Sequence, residues 1–575
     1  MNFLIAESAF SLKSEKSEEE KVNQKLALED EILLLTKHLC AIASVSTDAG
    51  KENECAEFIF NYLSSIQPVS PLTIEVDLIP CEKDPWNRKA VLGLLSSPDS
   101  QGRTVILTGH FDVVSTDVCG ELKSQAFEPD LYTKLLQARS LNPEAKRDLD
   151  SGNWLFGRGV MDMKGGLALF LAIFKEYAES GCGVNLLFLA VPDEENSSAG
   201  MRGTIRKLNS FIKEKKLDVI AAFTGEPCFR TTPNASGQSF RPYYTGTTGK
   251  IMPFFYCVGK AAHVNDYFQG LSSVLLASEI VTKMEANPAF LEGQGNWLLS
   301  PPACLGFEIR RNGYSVTLPE RAVCYFNLLT IEKTPQEILS LCVGLAQDAA
   351  SSTLETLKTS EGTFIRRGGT SSPLPKIKVL SYSELLNKVR SQFKDDKTFD
   401  RALKKELSSR QDSFDEREQA IRIMEAIISL SHSSEPQIVV GFLPPYYPPR
   451  INKRRNEKES RIKDLIHEVI AKSNHLACDS DSTFIEVFGG ITDLSYLGYE
   501  GDPKDLQFIA ENLPGWGETF WIPIQELTEL SIPIANLGPS GKDAHKMTER
   551  LELDYSLRTA PELLRFAIKK LSKLQ

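Results

Sequence analysis

Residues 157–166 read GRGVMDMKGG, and residues 167–174 continue as LALFLAIF. One carboxylate, Asp162, lies between two methionines with glycines on either side, at the mouth of an almost wholly apolar run. A charge entering a segment that must be buried is costly unless a partner offsets it. The apolar run reads as a buried helix that opens after a glycine turn. For an isolated Asp after Gly, the ordinary role is a helix N-cap. The other reading is a functional carboxylate, and the rest of the chain decides between them.

Four further apolar runs end in acid or imidazole. TVILTG (104–109) leads into His110 and Asp112, and NLLFLAVP (185–192) into Asp193, Glu194 and Glu195. VIAAFTG (219–225) leads into Glu226, and SIPIANL (531–537) runs through a glycine loop to His545. The apolar runs alternate with helical patterns such as MRGTIRKLNSFIKEKK, which predicts an α/β domain with a mostly parallel central sheet. In such sheets ligands gather at the carboxyl ends of the strands. The set of His110, Asp112, Asp162, Glu194, Glu195, Glu226 and His545 is a metal-site inventory, and it suits a pair of borderline ions such as zinc better than calcium or magnesium. Each residue has a bland role of its own: a strand-end histidine, a helix cap, a solvated loop pair, a turn before Pro227. Their joint occurrence at successive strand ends outweighs those readings.

The chain has 575 residues, 42% of them hydrophobic and 25% charged, which predicts more than one domain. A net charge of −11 argues against phosphate-backbone binding, so no nucleic-acid partner is expected. The 11 cysteines include no CxxC pair and read as reduced, mostly buried thiols. No run of about 18 apolar residues is present, and the start lacks the basic region of a signal peptide. The expectation is a cytoplasmic protein with no membrane partner, acting on a small-molecule substrate.

Composition and pattern divide the chain into a polar N-terminal arm (1–28), an α/β part (29–244), a smaller α+β unit (245–349), a polar, mostly helical stretch (350–459) and a last part (460–575). No internal repeat is visible.

GHFDVV, GRGVMDMKGG, PDEEN, TGEP and GKDAHKMTERL together resemble the M20 family of dinuclear zinc hydrolases. The length, the large middle insertion, and stretches such as PKIKVLSYSELL and IVVGFLPPYYPP look closest to its arginine-utilisation, RocB-type subgroup. The resemblance implies a zinc-peptidase-like catalytic domain, of which 29–244 and 460–575 are the two parts, with an inserted lid or dimerisation domain, a helical insertion at 350–459, and a homodimer formed through that lid. It implies two Zn2+ ions, with Co2+ or Mn2+ as substitutes. His110, Asp162 and Glu226 would hold one ion, and Asp162, Glu195 and His545 the other, so that Asp162 bridges. Asp112 would fix the His110 tautomer. Glu194 would act as general base towards water activated between the ions. His263, in VGKAAHVNDYFQG, would help stabilise the oxyanion from a moving lid or a partner subunit.

Two departures bear on the substrate. An arginine usual in the strand matching CYFNLLT is replaced by Leu329, and the asparagine usual after the lid glycine by Leu271-Ser272. Arg310, Arg311 or Lys250 would then have to receive a substrate carboxylate, or the substrate differs. The KRR run at 453–455 reads as solvated surface. The leading function is hydrolysis of an N-acyl amino acid or peptide-like amide bond. A dipeptidase or carbamoylase on the same metals is the related reading, and a non-catalytic, metal-stabilised binding or scaffold member the rival.

Overall fold

The computed structural model describes residues 18–229, 240–294, 297–311, 313–408, 415–476 and 481–573. Its central sheet has six strands in the order Thr73–Pro80, Lys89–Ser96, Asn185–Val191, Arg103–His110, Asp218–Thr224, Ile534–Asn536. The last four run parallel, and the first two form an antiparallel margin. The Asn185–Val191 and Arg103–His110 strands are buried throughout or nearly so, as expected for strands covered on both faces. Register aligns the strand ends: His110 pairs with Val191, Thr108 with Thr224, and Thr224 with Asn536. The residues that follow each strand therefore emerge side by side along one rim.

The apolar run after Asp162 forms the Lys164–Ser180 helix, with every residue from Lys164 to Phe174 buried. It packs under the sheet together with the Ala49–Ser65 and Ala560–Ser572 helices and the described part of Glu18–Ala41. Its start lies so close to the loop carrying Glu226 that a Cβ on Gly166 would sit 2.0 Å from the Gly225 carbonyl oxygen. A side chain there cannot be accommodated without moving backbone, so the pair of glycines sets how near Asp162 and Glu226 can come. Residues 1–17 of the expected N-terminal arm lie outside the described residues; from Glu18 the chain is helical.

The second domain is built on a five-stranded sheet in the order Ala303–Ile309, Arg321–Thr330, Gly249–Val258, Gln437–Tyr447, Lys378–Ser381. This corrects the expectation of a separate helical insertion at 350–459. The Pro335–Arg366 helix runs straight through residue 350, and two strands of the interval complete the smaller domain's own sheet. The physical reason lies in QIVVGFLPPYY: all eleven residues are buried, so the strand needs neighbours on both edges and cover on both faces. The Ser273–Met284 and Pro335–Arg366 helices cover one face. Tyr382–Arg390, Asp396–Ser408 and Glu416–Leu430 cover the other, around Met252, Phe254 and Tyr256. The interval thus makes the lid three layers deep. Among the described residues the Ala303–Ile309 strand pairs on one edge only, and it leaves Leu305, Phe307 and Ile309 exposed. No helix among the described residues is long and apolar enough to cross a membrane.

Candidate metal centre

Asp162 is not a helix cap: the N-cap position is Met163, and no side chain caps that helix. Its two carboxylate oxygens face two different imidazoles. Oδ1 lies 3.5 Å from His110 Nε2, and Oδ2 lies 3.2 Å from His545 Nε2. Around His110 Nε2 also stand Glu226 Oε1 at 3.7 Å and Glu194 Oε2 at 3.8 Å. Around His545 Nε2 stands Glu195 Oε1 at 3.1 Å. Two His–Glu pairs therefore share one Asp. Ligand atoms of His110, Asp162 and Glu195 all fall within 4.8 Å of one another. His110 Nε2 is fully enclosed and has no hydrogen-bond partner among the described residues. A buried imidazole nitrogen without a partner, surrounded by carboxylate oxygens, fits a cation.

Asp112 ties the cluster together. His110 Nδ1 lies 3.0 Å from the Asp112 carbonyl oxygen and 3.4 Å from its Oδ1, so the backbone carbonyl is the nearer acceptor for the ring. The Asp112 carboxylate accepts the Glu194 and Glu195 amides and the Ser46 hydroxyl. One residue thus fixes both the imidazole and the loop that carries the two glutamates.

The electrostatics carry a large excess of negative charge. Burial, then neighbouring carboxylates, raise Glu194 and Glu226 well above the usual range despite the pull of His110. Hydrogen bonds to Asp162 and Glu195 hold His545 up at about 10. Burial acts to lower His110, but Asp112 and Asp162 override it and hold the imidazole well above its ordinary value. These groups hold protons in the folded chain that they release on unfolding, so each loses its stabilising contribution as pH rises. The metal-stripped protein should unfold at least about 5 °C lower at pH 8.5 than at pH 6. Added zinc should reverse the trend, because binding needs the deprotonated ligands. Scanning calorimetry with and without chelator checks this, and a flat profile for the stripped protein would contradict the charge excess.

His263 is not brought to this cluster. It is exposed on the lid loop, where its Nδ1 accepts the Asn265 amide at 3.3 Å and its backbone bridges to Thr317. Of the cations considered for a substrate carboxylate, Arg310 is held by Glu308, Glu418 and Glu425. Arg311 donates to the Thr317 and Ser315 carbonyl oxygens on an exposed turn. Arg454 and Arg455 of the basic run pair with Asp464 and Glu459.

Several residues at the site escaped the sequence reading. Asp493 is buried near Glu194 and Glu226, with both carboxylate oxygens enclosed and without a hydrogen bond among the described residues. Burial pushes it up to about 7 against the pull of the Ser198 hydroxyl. It lies in ITDLSY, which carries no motif. Beneath the Glu194 loop, buried Arg88 joins Asp84, Glu52 and Asp193. Asp193 in turn accepts the Ser197 hydroxyl and the Ala199 amide and so closes the loop. Buried Arg158 pairs with Glu549, whose Oε1 accepts the Gly159 amide, and Arg158 also donates to the His545 carbonyl oxygen. Glu549 stands within the quoted GKDAHKMTERL, so a signal for it was present.

A parallel sheet whose rim gathers two imidazoles and several carboxylates around one shared aspartate defines a hydrolase of the metal-dependent class. Comparison with known proteins places it further. The description of peptidase family M20/M25/M40 matches residues 106–569, and the chain belongs to this family. It is 31% identical over 547 residues to the uncharacterized protein YqjN of Bacillus subtilis, covering 95% of this chain and 97% of that protein. It is 29% identical over 548 residues to the protein RocB of the same organism, covering 92% and 93%. The structure of human carnosine dipeptidase 1 shares the fold, with a TM-score of 0.52 at 12% identity over 97% of this chain and all of that one. The chain is thus a hydrolase acting on amide bonds.

Proposed function

We propose that this protein is a dinuclear zinc amidohydrolase that cleaves an N-acyl amino acid or peptide-like amide bond, in the breakdown of arginine or ornithine compounds. The observation that carries the reading is Asp162, shared between the His110–Glu226 and His545–Glu195 pairs. His110, Asp162 and Glu226 would hold one ion, and Asp162, Glu195 and His545 the other. When bound, two such ions supply Lewis acidity and a water of lowered pKa.

The chain's own residues do the rest. Glu194 stands beside the cluster without belonging to either His–Glu pair, and it is placed to take a proton from water and return it to the leaving nitrogen. Its amide is fixed by Asp112 and its loop by Asp193, so the carboxylate is held in position before substrate arrives. Tyr447 rests its hydroxyl on Ser198 and near the Glu194 carbonyl oxygen, which brings the lid sheet against the catalytic loop. His263 remains our candidate for the oxyanion, supplied by lid movement or by a second copy. The free edge of Ala303–Ile309, with its exposed apolar side chains, supports self-association through the lid. Retention of Glu194 beside the cluster speaks against a non-catalytic scaffold. The arginine assignment rests on resemblance to the RocB-type subgroup, and the free, mostly buried thiols described here support a cytoplasmic setting.

One experiment tests the reading. Purified protein is stripped with chelator, reloaded with zinc and assayed on N-acyl-arginines, N-acyl-ornithines, dipeptides and N-carbamoyl amino acids, with the same preparation sized by light scattering. We expect turnover of an N-acyl substrate that is lost on stripping and restored by zinc, at twice the chain mass. Turnover confined to dipeptides or carbamoyl compounds moves the assignment to the related reading. No turnover of any class would favour the scaffold.

A further inference from the structure

Lys250 lies on the central lid strand Gly249–Val258, directly opposite Tyr447 on one neighbour and Leu329 on the other. Residues directly opposite in an antiparallel pair project to the same face. Tyr447 uses that face to reach Ser198 and the Glu194 loop, so Lys250 faces the catalytic loop as well. Lys250 is half-buried, and among the described residues its ammonium makes no hydrogen bond or ion pair. Such a cation is held away from water without a partner, which is unfavourable unless something arrives to pair with it.

A second cation stands nearby. Arg417, at the start of the Glu416–Leu430 helix, donates through Nη2 to the Asn196 side chain, two residues past Glu194, and to Asp415. Its Nε and Nη1 make no hydrogen bond among the described residues. The neighbouring Glu416 pairs with Arg202 of the Ala199–Glu214 helix, so the start of this lid helix is pinned to the catalytic domain from two sides. Burial lowers Lys250 to about 8; the positive charge of Arg417 acts in the same direction, and Glu194 acts against it. Register and hydrogen bonds set both cations on the side of the lid that meets the Glu194 loop, Lys250 beside Tyr447 and Arg417 on Asn196.

We propose that Lys250, with Arg417 beside it, forms the subsite that receives a carboxylate of the substrate. The inference rests on the amidohydrolase reading above. In an N-acyl α-amino acid the carboxylate is one carbon from the scissile nitrogen, so its receiver must adjoin the group that protonates that nitrogen. Lys250, opposite the Tyr447 whose hydroxyl lies 3.5 Å from the Glu194 carbonyl oxygen, stands on the lid face that meets this loop. Leu329, directly across from Lys250, offers no charge, and Arg310 and Arg311 are occupied elsewhere. The residues at 350–459 thereby acquire a role: they set Tyr447 beside Lys250 and supply Arg417.

The test uses zinc-loaded, full-length Glu194→Gln protein, so that binding is read without turnover. N-acetyl derivatives of arginine, leucine and glutamate are titrated calorimetrically, each beside its carboxamide. We expect each acid that binds to bind about 30-fold more tightly than its amide, as for a charge-assisted pair. Lys250→Met should remove most of that difference while changing amide affinity by less than about twofold, Lys250→Arg should restore part of it, and Arg417→Gln should reduce it by about threefold to tenfold. Equal binding of acid and amide overturns the proposal. So does a difference that survives Lys250→Met, a loss that falls equally on both probes, or a failure of every acid to bind. Parallel turnover by the unsubstituted protein separates the two readings. Hydrolysis without acid preference leaves the hydrolase and removes the subsite; acid preference without hydrolysis does the reverse.

Discussion

Glu194→Gln should lower kcat by about three orders of magnitude or more while leaving the bound metal unchanged. The expectation follows from where the carboxylate sits. It is 7% exposed, its Oε2 lies 3.8 Å from His110 Nε2, close to the 3.7 Å of Glu226 Oε1, and the proposed ligand sets leave it free to act as the base. Glutamine keeps the volume and the loop, because the loop is held through the Glu194 and Glu195 amides on Asp112 and through Asp193. Only the ability to accept a proton is removed. The substitution also removes a buried negative charge that burial and Glu226 already disfavour, so stability should hold or rise slightly. The check is kcat on the best substrate of the panel together with metal content by elemental analysis. Near-normal turnover would remove Glu194 from its role, and loss of metal would make it a ligand instead.

Asp162→Asn should have the larger structural effect: loss of at least one bound ion per chain and of activity by more than about a thousandfold. The amide keeps one oxygen but replaces the other with a donor, and no longer offers a negative charge to both imidazoles. The neighbouring imidazoles of His110 and His545 are what hold Asp162 below its ordinary carboxylate range against burial. Without that charge, His110 and His545 lose the partner common to both, and the remaining glutamates repel one another. Elemental analysis of the variant and its unfolding temperature with and without zinc check this. An unchanged metal content would mean that the shared aspartate is not a ligand.

How much of this was legible in the sequence depends on what carried each feature. The rim residues could be read because each follows an apolar run directly: His110 after TVILTG, Glu194 and Glu195 after NLLFLAVP, Glu226 after VIAAFTG. Local sequence sets the strand, and a parallel sheet then brings the ends together whatever the chain distance. The middle interval could not be read this way. Its helices Tyr382–Arg390, Asp396–Ser408 and Glu416–Leu430 have the amphipathic pattern of any surface layer, and only the wholly buried Gln437–Tyr447 strand signals that a sheet lies beneath them. Lys250 was one of three candidate cations in the sequence. Singling it out required the register that sets it opposite Tyr447, and the ion pairs that occupy Arg310. Asp493 carried no local signal, because its position depends on packing of a short loop against Ser198 rather than on any strand end. The glycines of the 157–166 segment could be seen, but not their reason: Gly166 matters because the Gly225 carbonyl lies against it.

The interval at 350–459 also changes how the two domains relate. Arg417 to Asn196, Glu416 to Arg202, and Tyr447 to Ser198 all cross between the lid and the Glu194 loop or the helix that follows it. A lid held by three such contacts shapes the catalytic loop as well as covering it. Any opening of the cleft must break or carry these contacts, which gives the middle of the chain a direct hold on Glu194.

The central claim is that Asp162 lies between two dications. The most direct measurement is a zinc-edge anomalous diffraction map of zinc-loaded crystals, with metal stoichiometry measured on the same preparation. The account predicts two peaks per chain about 3.5–4 Å apart, one beside His110 and one beside His545, each next to a different oxygen of Asp162. A single peak, or two peaks with Asp162 bound to neither, would contradict it.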